Sequence, residues 1–499
     1  MLEGFASGLL IAAQPDNLLY CLIGALVGTL VGVLPGIGSI AAVAMLLPIT
    51  FYLQPTSALI MLAGIYYGAQ YGSSTTAILV NIPGENSSIV TCLDGYQLAR
   101  QGRAGPALAI AALASLFAGF FATGFIAVFA PPLAEFALLF GPAEYFSLMV
   151  LGLLAAIVLA QGSILKALGV IMLGLLLASV GTDVESGAAR LTLGIPELAD
   201  GIGIVPMAMG IFGVGEIIKN LENPSDRQIL SQRFGKLWPT RDDFRRCWLV
   251  VVRSTALGSA LGLLPGGGSV LSAFAAYSLE KRLARDPQRF GRGAVEGVAA
   301  PESANNAGAQ TSFIPLLTLG IPSNGVIALM AGAMMVHGVQ PGPQMMSKNP
   351  DIFWGLIASM LIGNIMLVII NLPLIRIWVL LLKVPYHLFY PMILVFCCIG
   401  VYTLNNSTFE VMLLLVFGLV GYAFIKWECE PAPLLLAFVL GPMIEENLRR
   451  AMQLSFGDPL TFIKRPISAS LLALATGLLV MLLLPAFQRT REVALKEDD

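Results

Sequence analysis

Charge is scarce in this sequence. Only 12% of its 499 residues are Asp, Glu, Lys or Arg, against about 25% in an average soluble protein. Too little charge is present to build a water-facing surface, which excludes an ordinary soluble enzyme. No Lys or Arg occurs before Arg100. A secretory leader needs a positive n-region, so the start MLEGFASGLL, with Glu3, reads as retained. The 28 basic and 30 acidic residues nearly cancel, leaving no basic surface for nucleic acid and no charged tail for a polyion partner. Histidine occurs twice, His337 and His387, without the cluster a metal site or general base requires. The six cysteines, Cys21, Cys92, Cys247, Cys397, Cys398 and Cys429, show neither zinc spacing nor a disulfide framework and read as packing residues. GxSxG, HExxH, Walker A and GxGxxG patterns are missing, and the Gly-rich segments PGIGS and PGGGS lack the Lys of a phosphate loop. No catalytic residue, no metal site and no cofactor is therefore expected, and the chain does not read as an enzyme.

What is present is apolar. The apolar set makes up 57% of the chain and mean hydropathy is +0.82, with apolar runs recurring from Leu18 to Leu484. The lipid bilayer is the solvent for most of this protein. The longest polar stretch, Lys219 to Arg246, divides the chain nearly in half. The halves are related: GTLVGVLPGIGS at 28–39 and GSALGLLPGGGS at 258–269 share seven of twelve residues. GAQ at 68–70 recurs at 308–310, Ile82-Pro83 at Ile321-Pro322, and Gly105-Pro106 at Gly342-Pro343. The expected organisation is a first transmembrane repeat over 1–222, a cytoplasmic linker over 223–246, a second repeat over 247–466, and a C-terminal transmembrane helix and tail over 467–499.

A helix crossing about 30 Å of hydrocarbon at about 1.5 Å per residue needs about 20 residues. The arms beside the two LPGxGS tips, Leu18–Leu34 with Ile40–Phe51 and Trp248–Leu264 with Val270–Leu279, are shorter. They suit re-entrant hairpins; the competing reading is a tight turn between two tilted full spans. Lys and Arg collect on the cytoplasmic side. Lys236, Arg241, Arg245, Arg246, Lys281, Arg282, Arg285, Arg289 and Arg292 flank the second hairpin, and none flanks the first. Arg100 and Arg103 likewise oppose the Lys- and Arg-free segment Gly338 to Pro343, and Arg376 and Lys383 oppose Pro131 to Glu144. These oppositions predict an all-α polytopic membrane protein of two inverted-topology repeats, each with a re-entrant hairpin and a broken helix. One loop disagrees: strict inversion puts Glu445 to Arg465 outside although it holds Arg449, Arg450, Lys464 and Arg465.

Inverted repeats with broken helices place a solute site near the midplane, where helix N-termini face an anion and freed carbonyls face a cation. The candidates come in matched sets. The first half offers Ser39 at its tip, then Ser73, Ser74, Thr75, Asn86 and Ser87 around the break at Pro83-Gly84. The second offers Ser269 at its tip, then Ser303, Asn305, Asn306, Thr311, Ser323 and Asn324 around Pro322. The tips themselves are Pro35, Gly36 and Gly38, and Pro265, Gly266 and Gly268. Polar groups at this density are costly in apolar surroundings unless paired; the bland role of any one of them is helix-to-helix hydrogen bonding. Neither set contains Lys or Arg, so an anion would be held by backbone N–H groups, hydroxyls, amides and a co-bound cation, which favours Na⁺ or H⁺ coupling. Glu85 and Glu302 are the candidate coupling residues, with helix-end capping as the alternative for each.

The segments VGVLPGIGS, YYGAQYGSSTTAILVNIPGENSS, DGYQLARQGRAGP, LLPGGGS and APESANNAGAQTSFIPLLTLGIPSNG resemble the large membrane subunit of the bacterial tripartite tricarboxylate transporter family, over about residues 15–460. Pro83-Gly84-Glu85-Asn86 stands where members commonly carry PGTP. The resemblance implies a secondary transporter of the bacterial inner membrane that imports carboxylates such as citrate. It also implies a small membrane subunit and a periplasmic solute-binding protein as partners. The different class that remains is a carboxylate-gated channel or solute-sensing receptor. Sequence leaves the solute, the coupling ion and the assembly state open, a homodimer included.

Overall fold

The computed structural model describes residues 2–34, 38–159, 163–183, 185–222, 237–264, 268–381 and 389–483. Pro35, Gly36, Pro265, Gly266, Lys383, His387, most of the expected linker (223–236) and the tail 484–499 lie outside the described residues.

Prolines set many of the helix starts, because their fixed φ suits the first turn and their missing N–H costs nothing there. In the first half the helices are α1 (Leu2–Ala12), α2 (Pro15–Val33), α3 (Gly38–Thr50), α4 (Pro55–Val80), α5 (Ile89–Arg100), α6 (Ala104–Ala137), α7 (Pro142–Leu159) and α8 (Ile164–Ala178). A two-strand ribbon, β1 (Gly181–Thr182) antiparallel to β2 (Ala189–Arg190), follows. Then α9 (Ile204–Ala208) runs through a π turn into α10 (Gly215–Glu222). The second half begins with α11 (Arg241–Gly262), started by a Thr240–Asp243 capping box inside the expected linker. It continues with α12 (Gly268–Leu283), α13 (Glu296–Thr311), α14 (Phe313–Leu319), α15 (Gly325–Val336), α16 (Met345–Lys348), α17 (Pro350–Asn371), α18 (Ile375–Leu381), α19 (Phe389–Asn405), α20 (Thr408–Lys426), α21 (Ala432–Leu454) and α22 (Thr461–Lys464). The last described helix is α23 (Pro466–Leu483).

Among the described residues five helical segments are long and apolar enough to cross a membrane: α2, α6, the continuous stretch Ile204–Glu222, α17 and α20. The observed tip helices α3 and α12 start at Gly38 and Gly268, one residue before Ser39 and Ser269.

Glycines at four-residue spacing decide how the two halves pack internally. Gly24, Gly28 and Gly32 of α2 press on the backbone of Met61, Ile65 and Ala69 in α4, and Gly64, Gly68 and Gly72 of α4 press back on Gly24, Ala25, Gly28 and Thr29. Such stripes let helix backbones approach closely in a membrane protein. Gly258 and Gly262 of α11 meet Ala304 and Gly308 of α13 in the same way. In both pairs the contact positions rise together, so α2 runs parallel to α4 and α11 parallel to α13. The tip helices follow suit, α3 packing on α4 and α12 on α13.

Helix α6, at 34 residues, is about 51 Å long, and its two ends collect different loops. At its start, Arg103 pairs with Asp243 at 2.8 Å, Gln101 donates to the Arg292 carbonyl at 2.9 Å, and Asp94 accepts from the N–H groups of Gly293 and Ala294. At its far end, Arg465 pairs with Glu144 at 2.7 Å. A cavity of about 470 Å³ there is lined by residues from 140–149, 338–349 and 443–450. The loop that disagreed with inversion, 445–465, thus sits with 137–145. Its four cations are all ion-paired: Arg449 to Asp183, Glu185 and Glu445, Arg450 to Glu446, Lys464 to Asp458, and Arg465 to Glu144.

Candidate functional site

The two helix breaks share one local design. Helix α4 stops at Asn81, whose φ of 58° is left-handed, and α14 stops at Gly320, φ 73°. Both then run through Ile-Pro, and a residue before proline is pushed towards extended backbone. After the first break comes the 3₁₀ turn Asn86–Ser88 and then α5. After the second, Asn324 caps α15 by accepting the N–H of Ile327 at 3.0 Å. Gly84 lies against the Gly32 carbonyl and the backbone of Ser73, a fit that a side chain would obstruct.

Each break lies beside the start of α3 or α12 in its own half. The Glu85 carboxylate accepts the backbone N–H of Ser39, at the start of α3. Its matched residue, Asn324, lies beside Gly268 at the start of α12. Gly38 and Gly268 both have positive φ, 73° and 45°, where glycine is the favoured residue. The two assemblies meet at Tyr66 of α4. Its hydroxyl accepts from Asn324 Nδ2 at 3.3 Å, with Ser269 and Ser312 beside it and Glu85 acting on it electrostatically.

The remaining candidates divide into three groups. Ser73, Ser303 and Thr311 donate to the carbonyls of Gln70, Ala299 and Ala307 in their own helices, and Ser323 to the Ser312 carbonyl. Ser74, Ser87 and Asn306 bind other side chains: Ser74 donates to Glu302, Ser87 to Gln70 Oε1 at 2.7 Å, and Asn306 to Ser115 at 2.7 Å. Thr75 lines a small cleft with Tyr71, Ser115 and Asn371, Asn86 is exposed, and Asn305 is fully buried with neither amide atom hydrogen-bonded. The two glutamates also differ. Glu85 caps, but caps the neighbouring helix α3 and not its own. Glu302 does not cap: it lies inside α13, fully buried, accepting from Ser74 and Thr91, each at 2.6 Å.

Sequence reasoning passed over Tyr66, Gln70 and Thr91. Gln70 carried a signal, since GAQ is duplicated; Tyr66 and Thr91 carried none, being ordinary residues of an apolar helix until packing brings their partners. Among the described residues no group of three or more His, Cys, Asp or Glu could hold a metal ion.

An Agrobacterium vitis protein, named as an uncharacterized 52.8 kDa protein in the TAR-I ttuC' 3' region, is 56% identical over 499 residues, covering 100% of this chain and 99% of that one. A second, named as an uncharacterized protein in the TAR-II ttuC' 3' region of the same organism, is 55% identical over 242 residues, 48% of this chain and 100% of that one. No solved structure matches. The profile of the tripartite tricarboxylate transporter TctA family matches residues 18–436. That is a family of transporters and not of enzymes, and the apolar spans make this a multi-pass membrane protein. With a match over most of its length, the chain belongs to the tripartite tricarboxylate transporter TctA family.

Proposed function

We propose that this protein is the large subunit of a secondary carrier that imports an organic di- or tricarboxylate, such as citrate, across the bacterial inner membrane. The gradient of Na⁺ or H⁺ drives it, a periplasmic binding protein delivers the solute, and a small membrane subunit completes the complex. Family membership supports the general reading. The observation that carries the site is the paired arrangement of breaks and tips: Glu85 on the Ser39 amide, Asn324 beside Gly268, and Tyr66 between them. Two helix N-termini and several hydroxyls converge there without Lys or Arg, a setting in which backbone amides can hold a carboxylate.

In this reading the halves are inverted repeats with re-entrant hairpins. The start of α6, grouped with the Arg- and Lys-rich segments around α11 and α12, faces the cytoplasm; its far end, with 50–57, 338–349 and 445–465, faces the periplasm. The contact between the Phe51 and His337 rings and the Asn17–Ser57 hydrogen bond of 2.6 Å support one common face for these outer segments.

Counterflow in proteoliposomes tests the proposal. A carrier exchanges external labelled citrate for internal unlabelled citrate, or for another carboxylate from a panel, at a saturable rate. A channel shows no trans-stimulation and a receptor moves nothing; either result refutes the carrier reading.

A further inference from the structure

We propose that Glu302 is a proton-binding site whose protonation state is sensed by Ser74 of α4, the helix that ends at the first break. This rests on the carrier reading and specifies its coupling ion. Glu302 belongs to the second half, yet its carboxylate faces the first: Ser74 of α4 donates to Oε2 and Thr91 of α5 to Oε1, each at 2.6 Å. Helices α4 and α5 flank the first break, so one carboxylate joins both sides of it to the other repeat.

Among the described residues no compensating cation is at hand. Among the described residues Glu302 enters no ion pair, and its electrostatic neighbours are Tyr71 of α4 and Cys92 of α5, a phenol and a thiol that are ordinarily neutral near pH 7. Charged groups on the other packed elements are engaged elsewhere. Asp94 of α5 takes the Tyr277 hydroxyl of α12 and two backbone N–H groups. Arg253 of α11 holds Glu280 of α12, and Glu296 at the start of α13 faces Arg289. The other Lys and Arg residues of α11 and α12 are exposed at their outer ends. The one charged residue of α6, Glu135, lies near its far end. A fully buried carboxylate without a counter-charge is strongly disfavoured, and binding a proton removes the charge.

The geometry accommodates both states. The single hydroxyl hydrogen of Ser74 has two acceptors, Glu302 Oε2 at 2.6 Å and the Gln70 carbonyl at 3.3 Å. With Glu302 ionised, Ser74 donates to it. With a proton taken from water onto Oε2, Ser74 turns its hydrogen to the Gln70 carbonyl and accepts from the acid; releasing the proton to water restores the first state. The side chain of the same residue, through Gln70 Oε1, separately accepts from Ser87 at 2.7 Å.

The test is pH-jump infrared difference spectroscopy of the full chain in lipid bilayers, which needs no solute. The expected result is a buried carboxylic-acid C=O band that titrates in the wild type, is lost in Glu302→Gln, persists in Glu85→Gln, and titrates at a different pH in Ser74→Ala. A band absent from the wild type, or surviving in Glu302→Gln, overturns the proposal. In proteoliposomes with labelled citrate, Glu302→Gln should lose accumulation driven by a pH gradient; undiminished accumulation also overturns it. Absence of counterflow in the wild type would instead count against the carrier reading, while the infrared result would still decide the proton site.

Discussion

The carboxylate of Glu85 accepts the backbone N–H of Ser39, 46 residues earlier. One break is thereby fastened to the start of α3 by a side-chain carboxyl, occupying an amide of the kind a solute carboxylate would use. Hydrogen bonds contribute about 0.5–3 kcal/mol, the upper part of the range applying to charged partners. Glu85→Ala should lower stability by that amount in chemical or thermal unfolding of the detergent-solubilised protein, whereas Glu85→Gln, which keeps an acceptor oxygen, should lose less. Equal losses would mean that the Ser39 contact does not hold the tip.

At the tips, conformation and packing make different predictions. Among the described residues a Cβ on Gly38 would meet only Glu85 Oε1, at 3.9 Å, so space is available, but φ is 73°. Left-handed backbone costs a β-branched residue about 1–2 kcal/mol or more and asparagine less. Gly38→Val should therefore abolish uptake while the protein stays in the membrane, and Gly38→Asn should retain a measurable rate. Ser39→Ala and Ser269→Ala, which keep the backbone N–H and lose one hydroxyl, should mainly raise the half-saturation concentration, by roughly two- to thirteenfold for about 0.5–1.5 kcal/mol. Wild-type affinity in both variants would remove the hydroxyls from the binding site.

The α2–α4 stripe is a matter of space. A side chain on Gly28 would run into the backbone of Ile65, and overpacking typically costs about 1–3 kcal/mol. Gly28→Val should reduce the amount of folded protein recovered from membranes. Gly124 of α6 has nothing within 4 Å of an added Cβ, so Gly124→Ala should be neutral or mildly stabilising, by up to about 1 kcal/mol. Matching losses at the two positions would argue that helix propensity and not close approach sets the requirement for glycine.

Membrane sidedness follows from the grouping at the two ends of α6. Single cysteines placed at Gln54 or Asp458 should react with an impermeant maleimide added from the periplasm, and those placed in Lys281–Arg292 only after the cytoplasmic face is opened. Labelling of Asp458 together with the 281–292 set would break the grouping, and labelling of all three from one side would refute the inverted arrangement.

The ribbon on the far face of α6 is pinned by charge. Arg449 holds Asp183 at 2.6 Å and keeps its carboxyl well below the usual carboxylate range, helped by the N–H groups of Ser186 and Glu185. A depressed folded value means that the contribution is fully present above the unfolded value, near pH 4, and is lost as pH falls through the folded one. The melting-temperature difference between wild type and Asp183→Asn should therefore stay constant from pH 8 to about pH 5 and shrink only in stronger acid. A difference that shrinks between pH 8 and pH 6 would assign it to another group.

Local chemistry by itself determined a good deal here. Scarce charge and long apolar runs specify the bilayer, duplicated LPGxGS and Ile-Pro segments specify two halves with a tip and a break in each, and the prolines mark where helices start. These signals are legible because hydropathy, φ restriction and missing N–H groups act within a few residues of their cause. Partnerships across the chain were not legible. Glu302 meets Ser74 and Thr91 from 228 and 211 positions away, and Arg449 meets Asp183 from 266. Capping was a fair alternative for both glutamates when only neighbours in sequence were in view, and only packing separated Glu85, which caps another helix, from Glu302, which caps none. Of the cations in 445–465, Arg450 and Lys464 pair with Glu446 and Asp458 close by in sequence, whereas Arg449 and Arg465 find Asp183 and Glu144 only across the fold. Pairings of this kind depend on how two bundles dock, and a side chain's register against a helix of the other half leaves no periodic trace in its own neighbourhood.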